Sequence, residues 1–262
     1  MGFVNKEGKW FNNINRLVDL SLQQADTSDF TFQGIGFINQ LGIPGCIDPT
    51  ATNYNPNANS DDGSCNISLV DAAIKRCFDF GVTNTVVIKS TIPPGTTQRL
   101  NDKYDNFKVV FNPEFLTEAN AVKDYENQNR IILGGPRPAT TKLRQVFAKV
   151  FPKAHIIKTD STHAEMVKYL TNSFLATKVS FANEMHQICD KLDIDYDKVV
   201  EYGTLDPRLG SSHWSVPGPD GDFGYGGHCF PKDTEALLKY ANDKSIKLNM
   251  LKKAVEINKK IR

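Results

Sequence analysis

The chain has 262 residues, 40% of them hydrophobic and 23% charged, with a formal net charge of +1. That length holds one large domain or two modest ones, and the composition is that of an ordinary globular protein. The near-neutral balance gives no electrostatic reason to expect nucleic acid or an anionic membrane as partner, and no apolar run approaches the roughly 18 residues of a membrane span.

Residues 1–66 are polar, rich in Asn, Asp and Gly, and lack sustained periodicity, so an irregular N-terminal segment is expected. Its start, MGFVNKEGKWFNN, has no apolar signal-peptide core. FTFQGIGFINQLG sets Gly34 and Gly36 after a short β-like run. A dinucleotide fingerprint needs a further glycine where Asn39 stands and a helix opening there, yet the chain runs into Gly42, Pro44 and Gly45. A turn in an irregular segment is the favoured reading. GCIDPTATNYNPNANSDDGSC resembles the cysteine-bracketed, Asn/Asp-rich repeat of secreted and surface-attached proteins, and that resemblance implies a Cys46–Cys65 disulfide. Asn57, Asn59 and Asp61 alternate like calcium ligands, but Gly63 is one place late and Ser68 stands where an EF-hand needs its bidentate Glu, so no metal site is assigned. KEGKWFNNI and DTSDFTFQGIG weakly resemble phage virion proteins.

Residues 67–160 alternate helical patterns with short β-branched runs. An amphipathic ISLVDAAIKRCFDFG precedes TVVIKS, KVVFN and RIILGG; then come a helix over TTKLRQVFAKVF and the strand AHIIKT. Short buried strands interleaved with helices read as part of an open parallel α/β sheet. Residues 161–262 are mostly helical. Thr162 with Glu165 predicts a capping box for a long helix running to about Leu192. A Gly/Pro-rich excursion over 203–232 interrupts the helical pattern, and two further helices follow, DTEALLKYANDK and NMLKKAVEINKKIR.

The excursion ends in GYGGHCFPKD, residues 224–233. Its glycines permit positive φ and close approach of a ligand to the backbone. A thiol attacks as thiolate, a form that Lys232 or a neighbouring helix N-terminus favours. Asp233 is the expected N-cap of the helix that follows. Elsewhere, KSTIPPGTT places Ser90 and Thr91, and NPEFLTE places Glu114 and Glu118, at strand C-terminal ends, where open α/β sheets take ligands. Lys168 and Asn172, four apart, share one face of the long helix. Each feature alone has a structural reading; together with a glycine-flanked cysteine they are the parts of a covalent redox site. Five cysteines, at 46, 65, 77, 189 and 229, are odd in number and scattered, which argues for a reducing, cytoplasmic setting.

VVIKSTIPPGTT, VVFNPEFLTEANAVKD, VKYLTNSFLATKVSFANE, DPRLG and GYGGHCFPKD occur in one order from about Asp61 to Arg262. In them the chain resembles the UDP-glucose/GDP-mannose dehydrogenase family. The resemblance implies an α/β fold: a partial Rossmann-type parallel sheet (67–160, the C-terminal half of an NAD-binding domain) followed by an all-helical central, dimerising domain (161–262). It also implies oxidation of a nucleotide-sugar C6 alcohol to a carboxylate, with NAD as cofactor and UDP-glucose as the preferred substrate. Carried over by motif, Cys229 is the nucleophile, and Lys168 and Asn172 stabilise the oxyanion. Asp233 pairs with Lys168 and positions water, Glu118 serves as base, and Thr91 holds the water. Glu114, Arg208, Gly226 and Gly227 face the nucleotide sugar, while Ser90, Thr91, Glu118 and Lys232 approach the cofactor.

The family's glycine fingerprint and its second nucleotide-binding domain have no counterpart in these motifs. The expectation is a truncated or fused form with little NAD affinity of its own, and a first sheet strand with one edge unpaired. Two alternatives stay open: a non-enzymatic virion or surface protein with an N-terminal binding module and a passenger dehydrogenase portion, or a misjoined reading frame.

Overall fold

A computed structural model describes residues 3–4, 10–11 and 37–38, as short strands, together with 64–117 and 120–262. The Gly34/Gly36 turn, the Cys46–Cys65 pairing, the calcium reading of Asn57, Asn59 and Asp61, and Glu118 all lie outside the described residues. Among those described, no helix is long and apolar enough to cross a membrane. The chain divides into two compact units, Met1–Lys168 and Tyr169–Arg262.

In the first unit, β1 (Phe3–Val4) and β2 (Trp10–Phe11) pair antiparallel. The main sheet has the order β3-β4-β5-β6-β7, with β3 at Phe37–Ile38, β4 at Thr85–Ile88, β5 at Lys108–Phe111, β6 at Arg130–Gly134 and β7 at His155–Thr159. Strands β4, β5 and β6 are apolar runs after their first residue because both of their faces are covered, whereas β7 has no buried residue and leaves Ile157 exposed. Alternation then sends neighbours to opposite sides. Val86, Ile88, Val109, Phe111 and Ile132 pack with Val70 and Ile74 of α1 (Ser64–Asp79) and Leu100 of α2 (Thr96–Lys103). Val87, Val110, Ile131 and Leu133 pack with Leu143 and Phe147 of α4 (Ala139–Val150). Each fully buried Val or Ile stabilises by about 1.5–3 kcal/mol.

The sheet is mostly parallel, as expected, with one reversal: β5 and β6 run antiparallel and meet at one residue pair, Phe111 with Gly134, while β6 and β7 are parallel. Among its described residues, the link between β5 and β6 holds a short helix, α3 (Ala121–Glu126). One expectation is corrected: the outer edge of β4 is not bare, because β3 pairs with its last two residues, Phe37 with Val87 and Ile38 with Ile88.

Helix α5 (Ser161–Lys191) begins on this sheet and continues into the second unit. Gly134 allows its approach, since a Cβ there would lie 2.4 Å from that of Ala164. The capping box expected of Thr162 and Glu165 does not form. Asp160 caps α5 by accepting the His163 N–H at 3.0 Å. Glu165 reaches instead to the N-terminus of α2, accepting the N–H of Gly95 at 2.6 Å and of Thr97 at 2.9 Å. Those are orphan donors of a helix start, and Gly95 at φ 92° makes the turn that exposes them. Glu165 has no exposed surface. Burial raises its pKa, and the N–H donors from Thr97 and Gly95 offset part of the rise.

In the second unit α5 packs with α6 (Tyr196–Gly203), a 3-10 turn at Pro207–Leu209, α7 (Cys229–Asp243) and α8 (Asn249–Ile261). Ala182, Cys189, Tyr196 and Val216 form its buried cluster, with Met185, Val200 and Trp214 packed against it.

Because the folded pKa of Glu165 lies above its unfolded value near 4.5, its contribution to stability is full below that value and is lost as pH rises through the folded one. Glu165→Gln should abolish this slope, so urea titrations between about pH 4 and pH 7 should show the variant gaining on wild type as pH rises. Glu165→Ala, which strands both N–H groups, should lose about 1–3 kcal/mol at low pH, with the deficit shrinking as pH rises.

Candidate functional site

The first unit presents two loops at the C-terminal ends of neighbouring parallel strands. Ser90 and Thr91 are half-buried just after β4. Asn112 follows β5 and locks the loops together: its N–H donates to Ile88 O at 2.8 Å and its Nδ2 to Ile132 O at 2.9 Å. Lys89, buried, donates to Asn112 Oδ1 at 2.9 Å and forms a 3.2 Å ion pair with Glu114. Lys168, 8% exposed on α5, donates to the Glu114 carbonyl at 2.7 Å, with its ammonium 5.5 Å from the Phe115 ring centre. Glu114 thus holds one lysine with its carboxylate and another with its backbone. The Tyr125 hydroxyl is pushed up to about 12, by burial first and by the Glu114 charge second.

In the second unit Cys229 is exposed and is the first residue of α7. Asp233 is not the N-cap expected of it. His228 stands at the N-cap position, and Asp233 lies in the helix's second turn. Pro231 looks like a break, but a first-turn residue needs no N–H partner, so proline fits there. Asp233 is 1% exposed, accepting from Asn172 Nδ2 at 2.6 Å and pairing with Lys232 at 2.8 Å. Two buried amides hold the glycine loop. Asn183 Oδ1 accepts the Gly224 N–H at 3.0 Å, and Asn258 takes both the N–H and the carbonyl of Tyr225. Gly224 and Gly227 have φ of 71° and 69°. Gly226 lies against the Arg262 guanidinium, 2.2 Å from where a Cβ would stand, a contact the long arginine side chain could yield.

Arg208, in the 3-10 turn, has an exposed side chain paired with Asp206. Its turn is fixed from beneath by Lys178, which donates to Leu209 O at 2.9 Å and Gly210 O at 3.1 Å and lies 4.5 Å from the Trp214 ring centre. Burial lowers the Lys178 pKa, and burial together with Lys178 lowers that of His213.

Within the first unit the fold brings Glu114 and Lys168 together, and within the second Asn172, Lys232 and Asp233. Sequence reasoning missed Lys89, Asn112, Lys178, Asn183 and Asn258. The first four lie within the quoted motifs, where no role was read for them; nothing local marks Asn258.

Residues 55–154 match the model for the UDP-glucose/GDP-mannose dehydrogenase family, NAD binding domain, and residues 162–260 match that family's central domain. The chain belongs to this family. The NAD-domain match begins inside the segment read as a secreted repeat, a likeness that finds no support. UDP-glucose 6-dehydrogenase YwqF of Bacillus subtilis is 36% identical over 205 residues, covering 75% of this chain and 45% of that protein. UDP-glucose 6-dehydrogenase AglM of Haloferax volcanii is 34% identical over 227 residues, covering 78% and 50%. Among solved structures, a UDP-glucose dehydrogenase from Pyrobaculum islandicum aligns with a TM-score of 0.65 at 32% identity, over 75% of this chain and 46% of that one. The chain spans about half the length of the curated relatives it matches. Nothing in these matches favours the alternative of a virion or surface protein.

The Asn172–Asp233 contact should be strongly coupled, because a buried carboxylate left short of a donor is costly. Asn172→Ala should lower the unfolding free energy by about 1–3 kcal/mol, and by clearly less in an Asp233→Asn background, as a double-mutant cycle in urea would register.

Proposed function

We propose that this chain carries the chemistry of an NAD-dependent nucleotide-sugar 6-dehydrogenase, acting on a UDP-glucose-type substrate through a thioester on Cys229. One observation carries the reading: an exposed cysteine opens α7 at the end of a glycine loop whose backbone is held by buried amides. The unpaired N–H groups of a helix's first turn favour negative charge on such a residue.

The strand ends bearing Ser90 and Thr91 fit the part of a sheet where a nicotinamide cofactor is taken up. Bound there, NAD⁺ supplies the hydride acceptor. The other tasks fall to this chain. Glu118, through a water held by Thr91, takes the proton of the C6 hydroxyl as that carbon loses its hydride, leaving an aldehyde. The Cys229 thiolate adds to the aldehyde carbon. A C–S bond forms and the carbonyl pair moves to oxygen, where Lys168 and Asn172 stabilise it. Loss of a second hydride from that carbon lets the oxyanion's pair re-form the carbonyl and leaves the thioester. Water, oriented by Asp233, adds to its carbonyl; the C–S bond breaks and the thiolate departs. The sum is an alcohol, water and two NAD⁺ becoming a carboxylate, two NADH and three protons. Glu114 positions Lys168 and, with Gly226, Gly227 and Arg208, faces the nucleotide sugar; Lys232 approaches the cofactor.

A homodimer through the helical unit belongs to the same reading. Leu170, Phe174, Phe181 and Ile188 lie exposed along α5, with Leu192 just past its end and Leu205 beyond α6. A second copy gives these residues a place to bury. A reducing compartment keeps a nucleophilic thiol from oxidation, and we place the protein in the cytoplasm.

At NAD⁺ concentrations high enough to offset the low affinity expected of this chain, the purified protein should form two NADH per UDP-glucuronate from UDP-glucose, and Cys229→Ala should cut the rate by about a thousandfold or more. Equal rates in variant and wild type would overturn the thioester route. Phe174→Asp should move the protein from dimer to monomer in sedimentation velocity without loss of helix content.

A further inference from the structure

We propose that Asn258 is a positioning residue for Cys229, acting through the backbone of Tyr225. The proposal rests on Cys229 being the reactive thiol. Asn258 belongs to α8, 33 residues from the loop it touches, and is buried. Its Oδ1 accepts the Tyr225 N–H at 2.7 Å and its Nδ2 donates to the Tyr225 carbonyl at 2.9 Å. A planar amide alone among short side chains offers donor and acceptor side by side, so it pairs with a peptide unit as a neighbouring strand would. Aspartate lacks the donor.

The loop is shaped to receive that amide. Gly224 has φ of 71°, and a Cβ on it would come 2.4 Å from Asn258 Oδ1, so only glycine admits the close approach. Asn183 of α5 takes the Gly224 N–H, so two successive peptide groups are held by two helices. From there the chain reaches the sulfur in a few residues: Gly226, Gly227 at φ 69°, and His228 at the N-cap position of the helix that Cys229 opens. Helix α8 is itself anchored. Ser180 of α5 donates to Ala254 O at 3.1 Å, Lys259 pairs with Glu235 of α7 at 2.7 Å, and Arg262 pairs with Asp220 of the same loop at 2.7 Å. The pose of the thiol is therefore set by α8 as much as by α7. A residue serving only to satisfy buried peptides would protect Tyr225 without affecting the reactivity of a sulfur four positions on.

The test uses the 262-residue chain as wild type, Asn258→Ala and Asn258→Asp. Hydrogen–deuterium exchange of the Gly224–Gly227 amides and iodoacetamide labelling of each cysteine are both read by peptide mass spectrometry. In Asn258→Ala the loop amides should exchange about tenfold faster or more. The Cys229 labelling rate should change by at least about threefold, while Cys77 and Cys189 label as in wild type. Faster loop exchange with an unchanged Cys229 rate overturns the positioning role, and so does unchanged loop exchange. If the alanine variant fails to fold, Asn258→Asp carries the same readings, because it keeps the volume and the acceptor but turns a carboxylate toward the Tyr225 carbonyl. The dehydrogenase reading stands or falls separately: a shifted Cys229 rate with no NADH formed by wild type sinks that reading and leaves the loop geometry intact.

Discussion

A buried carboxylate fixes the frame of the first unit. Glu165 is closed off from water and bound by two peptide N–H groups at the start of α2, and through it α5 is pinned to the loop that follows β4. The contact is possible because Gly134 lets α5 lie almost against β6. Lys168 stands one turn further along the same helix, its ammonium delivered to the Glu114 carbonyl. The position of that lysine is thus a consequence of the cap.

The second unit solves a different problem. A loop rich in glycine has little side-chain packing to hold it and loses much conformational entropy when ordered. Its peptide groups are held instead by Asn183 and Asn258, and its neighbouring turn by Lys178. Burying three polar side chains this way is favourable only because each finds partners. The carboxylate of Asp233 follows the same rule, with Asn172 and Lys232 as its donors. Both units therefore hold their chemistry-bearing loops through buried polar contacts reaching from distant helices.

How far this was legible differs by element. The strands TVVIKS, KVVFN and RIILGG were readable because a strand buried on both faces is an unbroken apolar run between turn residues, and AHIIKT from its short β-branched run. The long helix was readable from its spacing, but its cap was not. Thr162 and Glu165 satisfy the local pattern, and only the neighbouring α2 offers Glu165 a better use. Asp233 failed for a related reason. A Pro at 231 and an acidic residue before an apolar run suggest a helix start, whereas the helix begins at Cys229 and takes the proline into its first turn. The reversal of direction between β5 and β6 leaves no trace in either strand, since pairing direction is a property of the partner.

Periodicity, turn residues and five ordered motifs were enough, by themselves, to determine the class of fold and the family, because those signals act over a few residues of chain. They also singled out Cys229, whose setting is a local one of glycines and a helix start. Tertiary structure alone decided which polar side chains serve that setting. Asn183 and Asn258 look like any helix amide until the loop is folded against them, and Glu165 looks like a cap for its own helix. A hydrogen bond across tens of residues is specified by where two elements pack, and no short stretch of sequence encodes it.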